Sequence, residues 1–261
     1  MNVGYIMEEL EKNYPISAAE SWDNPGLQVG RRDKEVERIF VALDATNEVI
    51  RQAKEWKADL LITHHPLTRE GLKKINTDTL IGRKTVELIQ ADISHYAMHT
   101  NFDSVTMGAL CGGILGLEDM EVLEAFYTDE KGEPQGFGRV GNLPDSMTLW
   151  GLAEQVKDRF SLENVKIFGS LTKIVQRVAI LPGSGKDFAG KALECGADVM
   201  VSGDFGHHNG IDAVDEGLMI IDAGHYGLEH VFVEYMKGLL EKKFPELQIE
   251  TAGKQEPFTV L

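Results

Sequence analysis

Cysteine is nearly absent: Cys111 and Cys195 are the only two in 261 residues, 84 positions apart and outside any CxxC pattern. That excludes a disulfide framework and a thiolate zinc site, and it points to a reducing compartment. Cations are scarce as well. Lys and Arg total 26 against 42 Asp and Glu, a formal charge of −16, so the average field repels polyanions and argues against a nucleic-acid binder. Single-strand binding needs a local basic groove interleaved with aromatics, and Lys73-Lys74 and Lys242-Lys243 are too sparse to build one. No apolar run approaches the roughly 20 residues of a membrane span. The first residues, MNVGYIMEELEKNYP, space Val3, Ile6, Met7 and Leu10 along one helix face among acids, unlike the basic start and apolar core of a secretion signal. Together these absences predict a cytoplasmic protein with no membrane partner.

What is present is ordinary for a folded chain, with 43% hydrophobic and 26% charged residues, and the length suits one large or two small domains. Short apolar runs end in glycine, proline or polar clusters and alternate with helical patterns, which predicts an α/β fold with mixed or mostly parallel sheets. Strands are expected over 38–43, 59–63, 93–98, 177–181, 198–202 and 218–222, with helices over 46–57, 77–91, 148–160, 187–195 and 227–242. At an offset of 139, Arg38 meets Arg177, Ala53 meets Ala192 and Ala58-Asp59 meets Ala197-Asp198. With the offset reduced to 126, Ala97-Met98-His99 meets Ala223-Gly224-His225 and Asp103 meets Glu229. This internal match points to two similar α/β lobes, a first over 1–125 plus 223–261 and a second over 126–222. The Gly- and Pro-rich stretch YTDEKGEPQGFGRVGNLP, from Tyr127 to Pro144, reads as an inter-lobe connection or exposed loop.

Three expected strands deliver His and carboxylate side chains just past their carboxyl ends: Thr63-His64-His65-Pro66, His99-Thr100-Asn101-Phe102-Asp103, and Gly224-His225-Tyr226-Gly227-Leu228-Glu229. Open α/β sheets place their sites there, because the loops beyond the strand ends converge. Pro66 holds His65 extended, so that neighbouring rings at a strand end can splay toward one crevice. His225 and Glu229 share a helical face at i, i+4. Each group alone also suits a loop hydrogen bond or a helix cap. Jointly, His64, His65, Asp103, His225 and Glu229 form a ligand set for Fe, Zn, Mn, Co or Ni, and five ligands suit two divalent ions with one carboxylate between them. His99, His207 and His208 are candidates for proton transfer. His95 alternates within an apolar strand and reads as a core or interface histidine, while His230 faces elsewhere. Pro182-Gly183-Ser184-Gly185-Lys186 reads as a tight turn with an anion contact as the alternative, and Trp22 to Gly30 as a turn leading into an extended run.

Taken in order, SWDNPGLQVG, ITHHPL, HTNFD, the glycine turn after RVAI, SGDFGHH and AGHYGLEH resemble the Ngg-interacting-factor-like family, also known as GTP cyclohydrolase I type-two homologues, over essentially the whole chain. The length is similar to the short form of that family. The resemblance implies two related lobes with a dinuclear metal site between them and subunits assembled into a toroidal homohexamer. It also implies that His65 and Asp103 hold one metal, His64 and His225 the other, and that Glu229 bridges. Asp204 stands where many relatives carry glutamate. The function that follows is a dinuclear metal-dependent hydrolase acting on a small molecule, GTP ring opening being one case. A non-catalytic metal-binding scaffold or regulatory protein is the alternative that the same ligands allow.

Overall fold

The computed structural model describes residues 1–254 and 256–260. Among these, the strands are β1 (Gly26–Val29), β2 (Arg38–Ala42), β3 (Leu60–Thr63), β4 (Ser94–Ala97), β5 (Glu118–Thr128), β6 (Pro134–Thr148), β7 (Lys166–Phe168), β8 (Ile174–Ser184), β9 (Val199–Gly203), β10 (Met219–Asp222) and β11 (Gln248–Thr251). The α-helices are α1 (Val3–Glu11), α2 (Asn47–Glu55), α3 (Leu80–Gln90), α4 (Thr100–Phe102), α5 (Gly108–Leu115), α6 (Leu149–Phe160), α7 (Ala189–Glu194), α8 (His207–Asp215), α9 (His225–Glu229) and α10 (Val231–Lys243). They form two compact units, the first being Met1–Phe102 with Phe232 through the last strand, the second Asp103–Val231. The junctions fall at 102/103 and 231/232, where the sequence reading set them at 125/126 and 222/223. The carboxyl-terminal helix does return to the first unit.

In the first unit a five-stranded sheet runs β1-β4-β3-β2-β11, parallel except for β1. β3 and β4 are buried at every position, as strands covered on both faces must be. The i, i+4 spacing of Val49 and Ala53, with Ile50 beside them, gives α2 the apolar stripe that covers Phe40 and Leu61. Thr46 caps the helix by accepting from the Val49 amide at 3.1 Å, a contact of about 1 kcal/mol.

The second unit has a six-stranded sheet, β5-β6-β8-β9-β10-β7, in which β8, β9 and β10 are parallel and the outer pairings antiparallel. Residues 127–144 are not a connector. Most of them lie in β5 and β6 of one hairpin, closed by Asp129, whose carboxylate accepts from the Lys131 and Glu133 amides at 2.9 Å each. Close strand approach explains the glycine that suggested a loop: a Cβ on Gly136 would stand 1.9 Å from the Glu124 carbonyl oxygen.

The internal match extends to hydrogen bonds. The Asp59 carboxylate accepts from the Glu37 and Arg38 amides, and 139 residues on, the Asp198 carboxylate accepts from the Gln176 and Arg177 amides. Likewise Arg38 donates to the Trp56 carbonyl and Arg177 to the Cys195 carbonyl. The second offset needs a correction. Thr63 pairs with Ala97 as Ser202 pairs with Asp222, so these strands match at 125, and Gly224 is a one-residue insertion that restores 126 at His225.

Candidate metal centre

Each candidate histidine of the first unit leaves the carboxyl end of a strand and is held by one ring nitrogen. Pro66 stops the β3 ladder, and the His65 amide turns to the Leu43 carbonyl at 3.0 Å. The His64 and His65 rings then lie 4.9 Å apart, with His99 at 5.2 Å from the first and 5.5 Å from the second. His64 Nδ1 donates to the Met98 carbonyl at 2.7 Å, His65 Nδ1 to Asp44 at 2.8 Å, and His99 Nδ1 to Asp23 at 2.8 Å. Carbonyls and carboxylates only accept, so the proton of each neutral ring sits on Nδ1 and Nε2 is the lone-pair nitrogen. Phe102 and Phe232 cover the fully buried His64 at 6.2 and 5.2 Å.

Asp23 is the residue the sequence reading missed. Its side chain is fully buried and accepts from His99, from the Thr100 amide at 3.0 Å and hydroxyl at 2.5 Å, and from the Asn24 amide at 2.8 Å. Burial pushes its carboxyl up, but the hydrogen bonds and charge of His99 and the bonds from Thr100 outweigh that and hold it well below the usual carboxylate range. Asp44 was missed too, although it follows β2 by two residues and the strand-end rule applies to it.

In the second unit, α9 begins at His225, two residues earlier than its spacing predicted, which puts His225 and Glu229 on one helical face with Nε2 and Oε2 at 2.9 Å. His225 Nδ1 donates to Asp204 at 2.9 Å. Asp204 adopts a left-handed φ of 61°, so its backbone turns sharply just past β9. Gly183 serves the site by having no side chain: with φ at 80°, a Cβ there would stand 2.4 Å from Glu229 Oε1. The glycine turn is therefore a seat for a carboxylate, and Glu229 occupies the side on which an anion contact was considered. Asp103 opens a π-helical turn, Asp103–Met107, ahead of α5, a distortion common at functional positions. Asp103 and Glu229 both act on the buried Cys111. Burial, then Glu229, then Asp103 push the Cys111 thiol well above its ordinary value.

The remaining histidines separate cleanly. His207 and His208 open α8, exposed, with ring centres 5.1 Å apart, and among the described residues they join no group of three metal-competent side chains. His95 is a fully buried core residue bonded to Thr63, and His230 stacks on Tyr226 while bonding the Gly227 carbonyl.

The sequence profile of the family Duf34/NIF3 (NGG1p interacting factor 3) matches residues 1–257. A "GTP cyclohydrolase 1 type 2 homolog" of Clostridium perfringens is 38% identical over 231 residues, 88% of this chain and 87% of its own. Its counterpart in Clostridium acetobutylicum is 36% identical over 244 residues, covering 93% and 90%. Among solved structures, a Staphylococcus aureus hypothetical protein superposes with a TM-score of 0.91 at 30% identity, covering 100% of this chain and 99% of its own. Reduced HcgD from Methanocaldococcus jannaschii gives 0.83 at 29% identity, covering 96% and 97%.

Proposed function

Because the chain belongs to the Duf34/NIF3 (NGG1p interacting factor 3) family, we propose that it is a metal-dependent hydrolase whose two divalent ions are held by His64, His65, Asp103, His225 and Glu229. The observation that carries this reading is the state of the imidazoles: His64, His65 and His225 each spend Nδ1 on an oxygen acceptor, the arrangement that fixes a ligating histidine and makes Nε2 the donor to a cation. Two imidazoles from the first unit, one from the second, and two carboxylates suit Fe, Zn, Mn, Co or Ni. In this assignment His65 and Asp103 serve one ion, His64 and His225 the other, and Glu229 both.

Bound divalent ions supply Lewis acidity, polarising a carbonyl or phosphoryl oxygen and making water nucleophilic at neutral pH. The chain's own residues do the rest. Asp23 holds the His99 ring so that Nε2 accepts the proton the nucleophile loses, and the exposed His207 and His208 pass protons to solvent. The relatives' names make GTP the first substrate to try, with ring opening as the reaction. Single-turnover assays on GTP, other nucleotides and phosphoesters test this: metal-dependent turnover abolished by chelator is expected. No turnover of any compound by protein carrying its metals would overturn the hydrolase reading.

A further inference from the structure

We infer that the first unit by itself forms a three-imidazole cation site, His64, His65 and His99, which binds one divalent ion without help from Asp103, His225 or Glu229. This goes beyond the two-ion reading, in which His99 only moves protons, and does not depend on it. One ligand-capable nitrogen from each of the three residues lies within 4.8 Å of the others. A tetrahedral ion with bonds of 2.0–2.1 Å needs ligand nitrogens roughly 3.4 Å apart, so small ring rotations close the set. Every Nδ1 is engaged, by Met98, Asp44 and Asp23, which leaves Nε2 of each ring as the nitrogen for a cation.

Charge also fits. Three neutral imidazoles supply none, but two of them back onto carboxylates, Asp44 and Asp23, and a dication bound at Nε2 meets two negative charges through the rings. Phe102 and Phe232 wall the His64 ring at 6.2 and 5.2 Å and keep water from competing at that side. The internal match bears on the same residue: His99 and His225 are counterparts, and each donates Nδ1 to a carboxylate placed by a loop distant in sequence.

The test uses the full chain, untagged and stripped with chelator, carrying Asp103→Asn, His225→Ala and Glu229→Gln together. Cobalt(II) is titrated, with visible absorption reporting the ligand field and elemental analysis the stoichiometry. One cobalt per chain is expected, with a spectrum of nitrogen ligation, and adding His99→Ala should weaken binding at least tenfold, with Asp23→Asn weakening it about tenfold. If the triple variant binds no cobalt while the wild type binds it, or if His99→Ala leaves the triple variant's affinity unchanged, the site does not exist. A wild type that takes one cobalt, lost with His99→Ala and kept with Glu229→Gln, would support this site while sinking the two-ion reading. Should the triple variant fail to fold by circular dichroism, the wild type labelled with 15N-histidine decides. The first substoichiometric cobalt must broaden the His99 ring resonances together with those of His64 and His65, and a His99 signal left sharp overturns the inference.

Discussion

Fully buried His95 ties the candidate centre to the core through one ring. Thr63 Oγ1 donates to the His65 carbonyl at 2.7 Å, so it accepts from His95 Nε2, also at 2.7 Å, and the backbone of a proposed ligand is fixed from behind. Burial, with Lys84 adding, pushes the His95 pKa down from 6.5 to about 3. Between those values the unfolded chain binds the proton and the folded one does not, so this contribution is complete above pH 6.5 and is lost as the pH falls toward 3. Its limit is about 1.4 kcal/mol per pH unit. Urea unfolding at pH 7 and pH 5 should show the wild type losing about 2 kcal/mol more than His95→Gln, which keeps a donor toward Thr63 without a titrating ring; equal losses would contradict it. Asp44→Asn should weaken metal binding 10- to 100-fold in a competition titration with a chelating dye, and an unchanged affinity would remove Asp44 from its supporting role. Position alone nominates His64, His65, Asp103, His225 and Glu229, which follow expected strand ends. Asp23 was not legible, because its partner His99 is 76 residues away and the pairing exists only once β1 has returned beside β4.

At the scale of elements, the buried parallel strands were readable because β3, β9 and β10 are mostly apolar runs and β4 is flanked by Ile93 and Met98. The β5–β6 hairpin was not, since glycines needed for close strand approach carry the same composition as a loop. The turn after Ile180 was read as a tight turn, and φ at 80° with Glu229 Oε1 2.4 Å from where a Cβ would stand makes its Gly183 a fixed seat. Gly183→Ala should therefore both strain the backbone, by about 1–3 kcal/mol, and displace Glu229. A lowered Tm together with loss of bound metal is expected, and a variant that keeps both wild-type Tm and wild-type metal content would show that Glu229 does not need this seat.

For the whole molecule, the repeated Asp59/Arg38 and Asp198/Arg177 bonds turn a faint sequence match into a shared framework, in which β1 and β7 are corresponding antiparallel edge strands and β5, β6 and β11 have no counterpart. Among the described residues, no helix is long and apolar enough to cross a membrane. Trp150, Leu171 and Ile174 are 54%, 44% and 56% exposed in the second unit, and the Trp150 amide bonds the Leu171 carbonyl. An apolar patch of this kind suits a contact between copies of the chain. The family resemblance implies a homohexamer, a proposal that light scattering tests: about six times the 28.9 kDa of one chain is the expected mass, and 28.9 kDa across micromolar concentrations would contradict it. The two-ion centre is tested most directly by elemental analysis of dialysed, untagged protein, comparing wild type, His64→Ala and Glu229→Gln with folding checked by circular dichroism. About two divalent ions per chain are expected in the wild type, about one in His64→Ala, and close to none in Glu229→Gln, where the carboxylate proposed to serve both ions is gone. A Glu229→Gln protein that keeps two ions, or loses no more than His64→Ala does, would contradict the shared-carboxylate centre.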